Sequence, residues 1–85
     1  MPLDVQQALR VLNKALSLEY AAMLQYLQQS FLLQGPYREV HTDFFRKMRD
    51  ESRSHAERLG KYIVLLNGVP TIEPASIKQS TDLHV

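Results

Sequence analysis

The chain has 85 residues, enough for one small domain and too few for a thick core, so stability calls for a metal, disulfides or association. Hydrophobic residues make up 45%, a globular proportion that argues against disorder, and the absence of cysteine excludes disulfides and thiolate metal sites. A formal net charge of +1 gives no electrostatic reason to bind nucleic acid, and no apolar run approaches the roughly 20 residues that span a bilayer. Met1-Pro2-Leu3-Asp4 lacks the basic and apolar regions of a secretion signal, so the expected location is the cytoplasm.

Asp4 followed by Gln7 forms a capping-box pattern that opens a helix. From there Leu9, Leu12, Leu16, Tyr20, Met23, Leu27 and Phe31 recur at spacings of three and four, which predicts a first helix over about residues 4–34. Gly35-Pro36 ends it, and Pro36 suits the first position of a second helix. That helix, about 37–67, carries His41, Phe44, Phe45, Met48, His55, Leu59, Tyr62, Ile63 and Leu66 on its stripe. Asn67-Gly68 supplies the cap, and Pro70 forbids continuation. Residues 1–70 thus form one helical hairpin. Residues 71–85, with Pro74 and several Ser and Thr but no period, form a tail that lies extended over the hairpin or is partly disordered.

Each helix is about 45 Å long, and two antiparallel helices joined by a short turn bury only the seam between them. The stripes here are wider than one seam covers. Two hairpins related by a two-fold axis would close a four-helix bundle, so the expected architecture is all-α and the expected unit a homodimer.

Three polar residues interrupt the stripes. Glu19 lies about 60° around its helix from Leu16, while His55 and Glu51 lie within about 20° and about 60° of Met48. Buried carboxylates are costly unless paired, hydrogen-bonded or bound to metal. Each residue alone has an ordinary alternative: a tyrosine-bonded or edge carboxylate, a core histidine, an ion pair. In an antiparallel hairpin, however, Glu19 and residues 51–55 sit at matching depth, and a two-fold axis repeats the set. That convergence points to metal ligation by Glu19, Glu51 and His55, with Tyr20, Tyr26 and Ser52 as neighbours around the ligands. Carboxylate and imidazole suit Fe, Mn or Zn. Met23 and Met48 read as core, His41 as structural, and His84 as uninformative. Arg46, Lys47, Arg49, Arg53, Arg58 and Lys61, interleaved with Asp43, Asp50 and Glu57, read as a solvated helix face.

The stretch Leu12-Asn13-Lys14-Ala15-Leu16-Ser17-Leu18-Glu19-Tyr20 through Gln25-Tyr26, with His55-Ala56-Glu57-Arg58-Leu59 and Leu66-Asn67-Gly68-Val69-Pro70, resembles the first helical pair of bacterioferritin and its ferritin-like relatives. The resemblance covers roughly residues 9–72 and implies di-iron ligand roles for Glu19 and His55. It also implies a missing second pair, which a homodimer would restore, as in the half-length ferritin-like proteins of encapsulin compartments that this chain resembles in size. The family's Glu-x-x-His spacing is altered: Ser52 stands three before His55, and Glu51 four before. Arg53 stands where the family's haem-ligating methionine would be, which implies no haem. The expected function is ferroxidase-type oxidation of Fe(II) or iron handling by a homodimer, a higher homo-oligomer or a compartment shell. The alternatives are a metal-free ferritin-like scaffold or assembly module, and a metal-sensing or trafficking dimer without turnover.

Overall fold

The computed structural model describes residues 4–77 and the backbone of Leu83–His84. The first helix, α1, spans Val5–Leu32; the Asp4 carboxylate accepts a 3.2 Å hydrogen bond from the Gln7 backbone N–H, satisfying one of the donors a helix start leaves open. At Leu33 the backbone turns extended, and Leu33–Gln34 form a short strand, β1. Gly35 then takes φ 109°, a conformation that costs a side-chain-bearing residue strain. The second helix, α2, spans Arg38–Leu65 with Tyr37 at its cap. Pro36 therefore lies ahead of the cap instead of at the first helical position, because Gly35 and Pro36 together are spent on reversing the chain. The Arg38 side chain helps hold the turn, its Nε donating to the Leu33 carbonyl at 3.2 Å.

At the other end α2 closes in a Schellman arrangement. Asn67 adopts φ 61°, Gly68 N–H donates to Ile63 O and Asn67 N–H to Val64 O, both at 2.9 Å. Asn tolerates the left-handed region, and the glycine is needed for space. A Cβ on Gly68 would stand 2.5 Å from Leu9 Cδ2.

The seam between α1 and α2 differs along its length. Toward the open end Leu16 and Ile63 are fully buried with Ala56, and Leu9, Leu12, Tyr20 and Leu59 pack around them. Toward the turn Leu33 is buried at the end of α1, and the other buried positions are small: Ala21, Ser30, Thr42 and, midway, Ser52. Small polar residues there let the helices approach but contribute little apolar burial.

Residues 71–77 run along one side of the hairpin, here called the back and referred to as the strap. Asn13 grips it on both sides of Pro70: its Nδ2 donates to Val69 O at 3.2 Å and its Oδ1 accepts from Thr71 N–H at 2.8 Å. Thr71 Oγ1 accepts from Glu73 N–H, and Ala75 N–H donates to Ser17 O at 2.9 Å. Leu83–His84 (β2) then pair in parallel with Leu33–Gln34 of β1. Residues 71–77 thus lie beside the first half of α1, and Leu83–His84 lie beside the turn.

The result is a rod of 55 × 21 × 20 Å with a radius of gyration of 15.9 Å. A compact domain of this length would have about 12 Å. Among the described residues, no helix is long and apolar enough to cross a membrane.

Candidate metal centre

Opposite the strap, the front of the hairpin carries a second helical stripe. On α2 it runs through Val40, Phe44, Met48, Glu51, His55, Arg58, Tyr62 and Leu65, recurring every three or four residues. Most of its large apolar members stand open: Phe44 is 54% and Tyr62 55% exposed. Ala15 and Glu19 of α1 face the same side, and with His55, Arg58, Leu59 and Tyr62 they line a shallow groove of about 380 Å³.

In this groove His55 Nδ1 lies 3.4 Å from Glu19 Oε1. The contact is long for a hydrogen bond and is an ion pair only when the imidazole is protonated. The carboxylate is 27% and the imidazole 50% exposed, so neither is yet desolvated. Two ligand atoms each about 2.1 Å from one metal ion lie about 3.0–3.4 Å apart, depending on coordination angle. The Glu19–His55 spacing fits two adjacent positions on one ion. Water as ligand would fill further positions on the open side.

The remaining expected site residues are distributed unevenly. Glu51, one turn before His55, is exposed on the outer part of the front face. Ser52 points elsewhere; it is only 7% exposed and sits in the seam. Tyr20 packs against the Leu16 cluster, and the Tyr26 ring lies against Phe45 with centroids 6.2 Å apart, so both rings serve packing. Among the described residues, no three acidic or histidine side chains converge in a single hairpin. What one hairpin brings together is the Glu19–His55 pair alone.

Sequence periodicity missed the polar wall at the turn end of the back. Arg46 and Arg49, read as solvated, line a cleft there together with the buried Thr42. The signal available was the Arg38-Thr42-Arg46-Arg49 spacing, which puts all four on one ridge beside the seam.

Comparison with known proteins places these features. A ferritin-like, diiron-carboxylate protein from Bacillus anthracis strain Ames superimposes with a TM-score of 0.88 at 34% identity, over 98% of this chain and 60% of that one. A bacterioferritin-related protein from Bacteroides fragilis, described as a dodecameric thioferritin, gives 0.77 at 35% identity, over 85% of this chain and 43% of that one. The sequence thus spans only about half the length of these relatives. Among curated proteins none matches. Residues 9–84 match the pattern of the ferritin-like domain, and with 98% of the chain superimposing on one such protein, the chain belongs to the ferritin-like family.

Proposed function

We propose that the hairpin supplies half of a carboxylate–imidazole centre that handles iron, and that a second copy of the chain, packed on the front face, supplies the other half. The observation that carries this is the Glu19–His55 pair, 3.4 Å apart on a face whose large apolar side chains, Phe44 and Tyr62 among them, stand uncovered. A carboxylate kept on such a face is costly in a closed bundle unless something binds it. The Bacillus anthracis relative is a diiron-carboxylate protein, which makes iron the first metal to test, ahead of Mn or Zn.

The surface of the chain supports the second copy. Its accessible area is 6458 Å². A folded monomer of this mass exposes roughly 5,200 Å². The excess of about 1,300 Å² is what one partner contributes to an obligate interface. The Bacteroides fragilis relative is a dodecamer, so assembly beyond the dimer fits the same family.

In the closed bundle Glu19 would hold iron through its carboxylate and His55 through an imidazole nitrogen, with Glu51, one turn earlier on α2, as a further carboxylate. Phe44, Met48 and Tyr62 exclude bulk water once the partner covers them, which strengthens every charge–dipole interaction inside. Iron supplies one-electron chemistry as the substrate, passing from ferrous to ferric with oxygen or peroxide as acceptor. A metal-free scaffold is the second reading, and Arg58 favours it: its guanidinium lines the groove beside Glu19 and could neutralise the carboxylate without a metal.

The test is anaerobic Fe(II) titration with iron counted per chain, followed by near-ultraviolet ferric absorbance on admitting air. Glu19→Ala and His55→Ala are expected to abolish stoichiometric binding while circular dichroism and sedimentation keep the parent's bundle. If both variants bind iron as the parent does, the site is elsewhere. If the parent binds none, the scaffold reading stands.

A further inference from the structure

The back of the turn end holds a second polar feature, remote in sequence from Glu19 and His55. Between the end of α1 and the start of α2 lies a cleft of about 460 Å³, bordered by Ser30, Arg38, Thr42, Arg46 and Arg49. We propose that this cleft binds a tetrahedral oxyanion, inorganic phosphate or a phosphate group, between the Arg46 and Arg49 guanidinium groups with the Thr42 hydroxyl as a further donor.

Two observations carry it independently. The first is the arginine ridge. Arg38, Arg46 and Arg49 lie four or three residues apart around Thr42, and a guanidinium presents planar paired donors that match phosphate oxygens. The acidic residues at the cleft do not cancel this. Asp43 meets Arg46 only at 3.7 Å, with side chains 61% (Arg46) and 79% (Asp43) exposed, a loose and screened pair. Glu39 lies in the first turn of α2, where it complements the helix dipole. Arg49 is the less exposed cation, at 32%, and its Nε and Nη2 donate to Asp50 Oδ1 at 3.1 and 3.0 Å, a partner a bound oxyanion would share.

The second is Thr42. The residue is 8% exposed, and its Oγ1 is buried without a hydrogen-bond partner among the described residues. A helical threonine ordinarily donates to a carbonyl three or four residues back, as Ser30 does to Leu27 O at 2.6 Å. Thr42 lines the cleft instead with an idle donor. Threonine splits between two rotamers in a helix, so the hydroxyl can turn between seam and cleft. A buried donor left idle is destabilising, and an oxyanion is the acceptor this cleft's charge would select.

The site is tested on the full chain without added metal, so its outcome does not depend on iron binding. Inorganic phosphate is titrated calorimetrically at ionic strength held constant with chloride, which removes general screening. One phosphate per chain is expected to bind saturably. Arg46→Gln and Arg49→Gln are expected to weaken it about tenfold each, while Arg53→Gln, whose partner is Glu57 on the open surface, changes nothing. Thr42→Val should separate binding from folding: thermal stability without phosphate rises because the idle hydroxyl is gone, and phosphate affinity falls. Absence of saturable uptake overturns the proposal, as does equal affinity in the Arg46, Arg49 and Arg53 variants. Parent affinity in a stabilised Thr42→Val variant removes the hydroxyl from the site.

Discussion

Toward the open end the back of the hairpin is partly covered by residues 71–77 of its own chain, whereas among the described residues the front is bare. On the back, Asn13 and the Ser17 carbonyl hold a strap through its backbone groups. On the front, Phe44 and Tyr62 stand more than half exposed around Glu19 and His55. The difference lies in what each face offers a partner. An extended strand carries backbone donors and acceptors, so it suits a helix face that has an amide side chain and a shared carbonyl to give. Large apolar side chains at helical spacing are filled only by another helix, whose own knobs are of that size. The uncovered front is the face on which the proposed second hairpin would pack.

The largest expected effect comes from charging that front. Met48→Asp buries an uncompensated carboxylate in the closed bundle and should reduce the sedimenting species to single hairpins or unfold them, whereas Lys47→Asp one residue away, on the exposed surface, should leave the assembly intact. An assembly that survives Met48→Asp means the front is not the interface. Smaller is the change at the root of the strap. Gly68→Ala forces its methyl against Leu9 and should cost about 2 kcal/mol by denaturant titration. Below it, Asn13→Ala removes both bonds that clamp the strap and should cost about 1.5 kcal/mol. Its signature is hydrogen exchange: the Thr71 and Ala75 amides should lose protection while those of α2 keep theirs. If α2 exchanges equally, the strap is part of the core and the contrast between the faces fails.

How much of this was legible follows from the kind of force involved. Leu16, Ile63 and the Gly35 and Asn67-Gly68 boundaries are written in periodicity and turn chemistry, which act locally. Glu19 and His55 were legible because a carboxylate and an imidazole at matching depth stand out on an apolar stripe. A tail lying over the hairpin was one of two readings of the sequence, but its anchor was not legible, since Asn13 holds it by reaching 56 and 58 residues along the chain to backbone atoms, and backbone groups carry no residue code. The cleft escaped for a related reason. Arg46 and Arg49 look solvated on a helical wheel, and only the crossing of α1 past Thr42 builds a wall beside them. Nor does one wheel say which apolar residues face the seam and which the front: Phe44 and Ile63 share a predicted stripe, yet one is 54% exposed and the other 0%.

The smallest expected effect decides which α2 carboxylate position serves the centre. Glu51 and Ser52 lie on opposite sides of the His55 direction, Glu51 toward the outer front and Ser52 into the seam. If the metal lies out on the front between two hairpins, Glu51 reaches it, and Glu51→Gln should weaken iron binding about tenfold, or about 1.4 kcal/mol. Ser52→Glu would then bring only a buried charge, lowering stability without adding iron. If the metal lies deeper, against the seam, Glu51→Gln should change nothing and Ser52→Glu should raise both affinity and iron stoichiometry by restoring the Glu-x-x-His spacing. We expect the first outcome. Ser52 is only 7% exposed in the seam, whereas the Glu19–His55 pair opens into the front groove. Iron counted per chain in the two variants, with thermal stability measured alongside, separates a ligand from a merely tolerated charge. A gain of iron in Ser52→Glu would move the centre one side chain inward and leave Glu51 as a surface carboxylate.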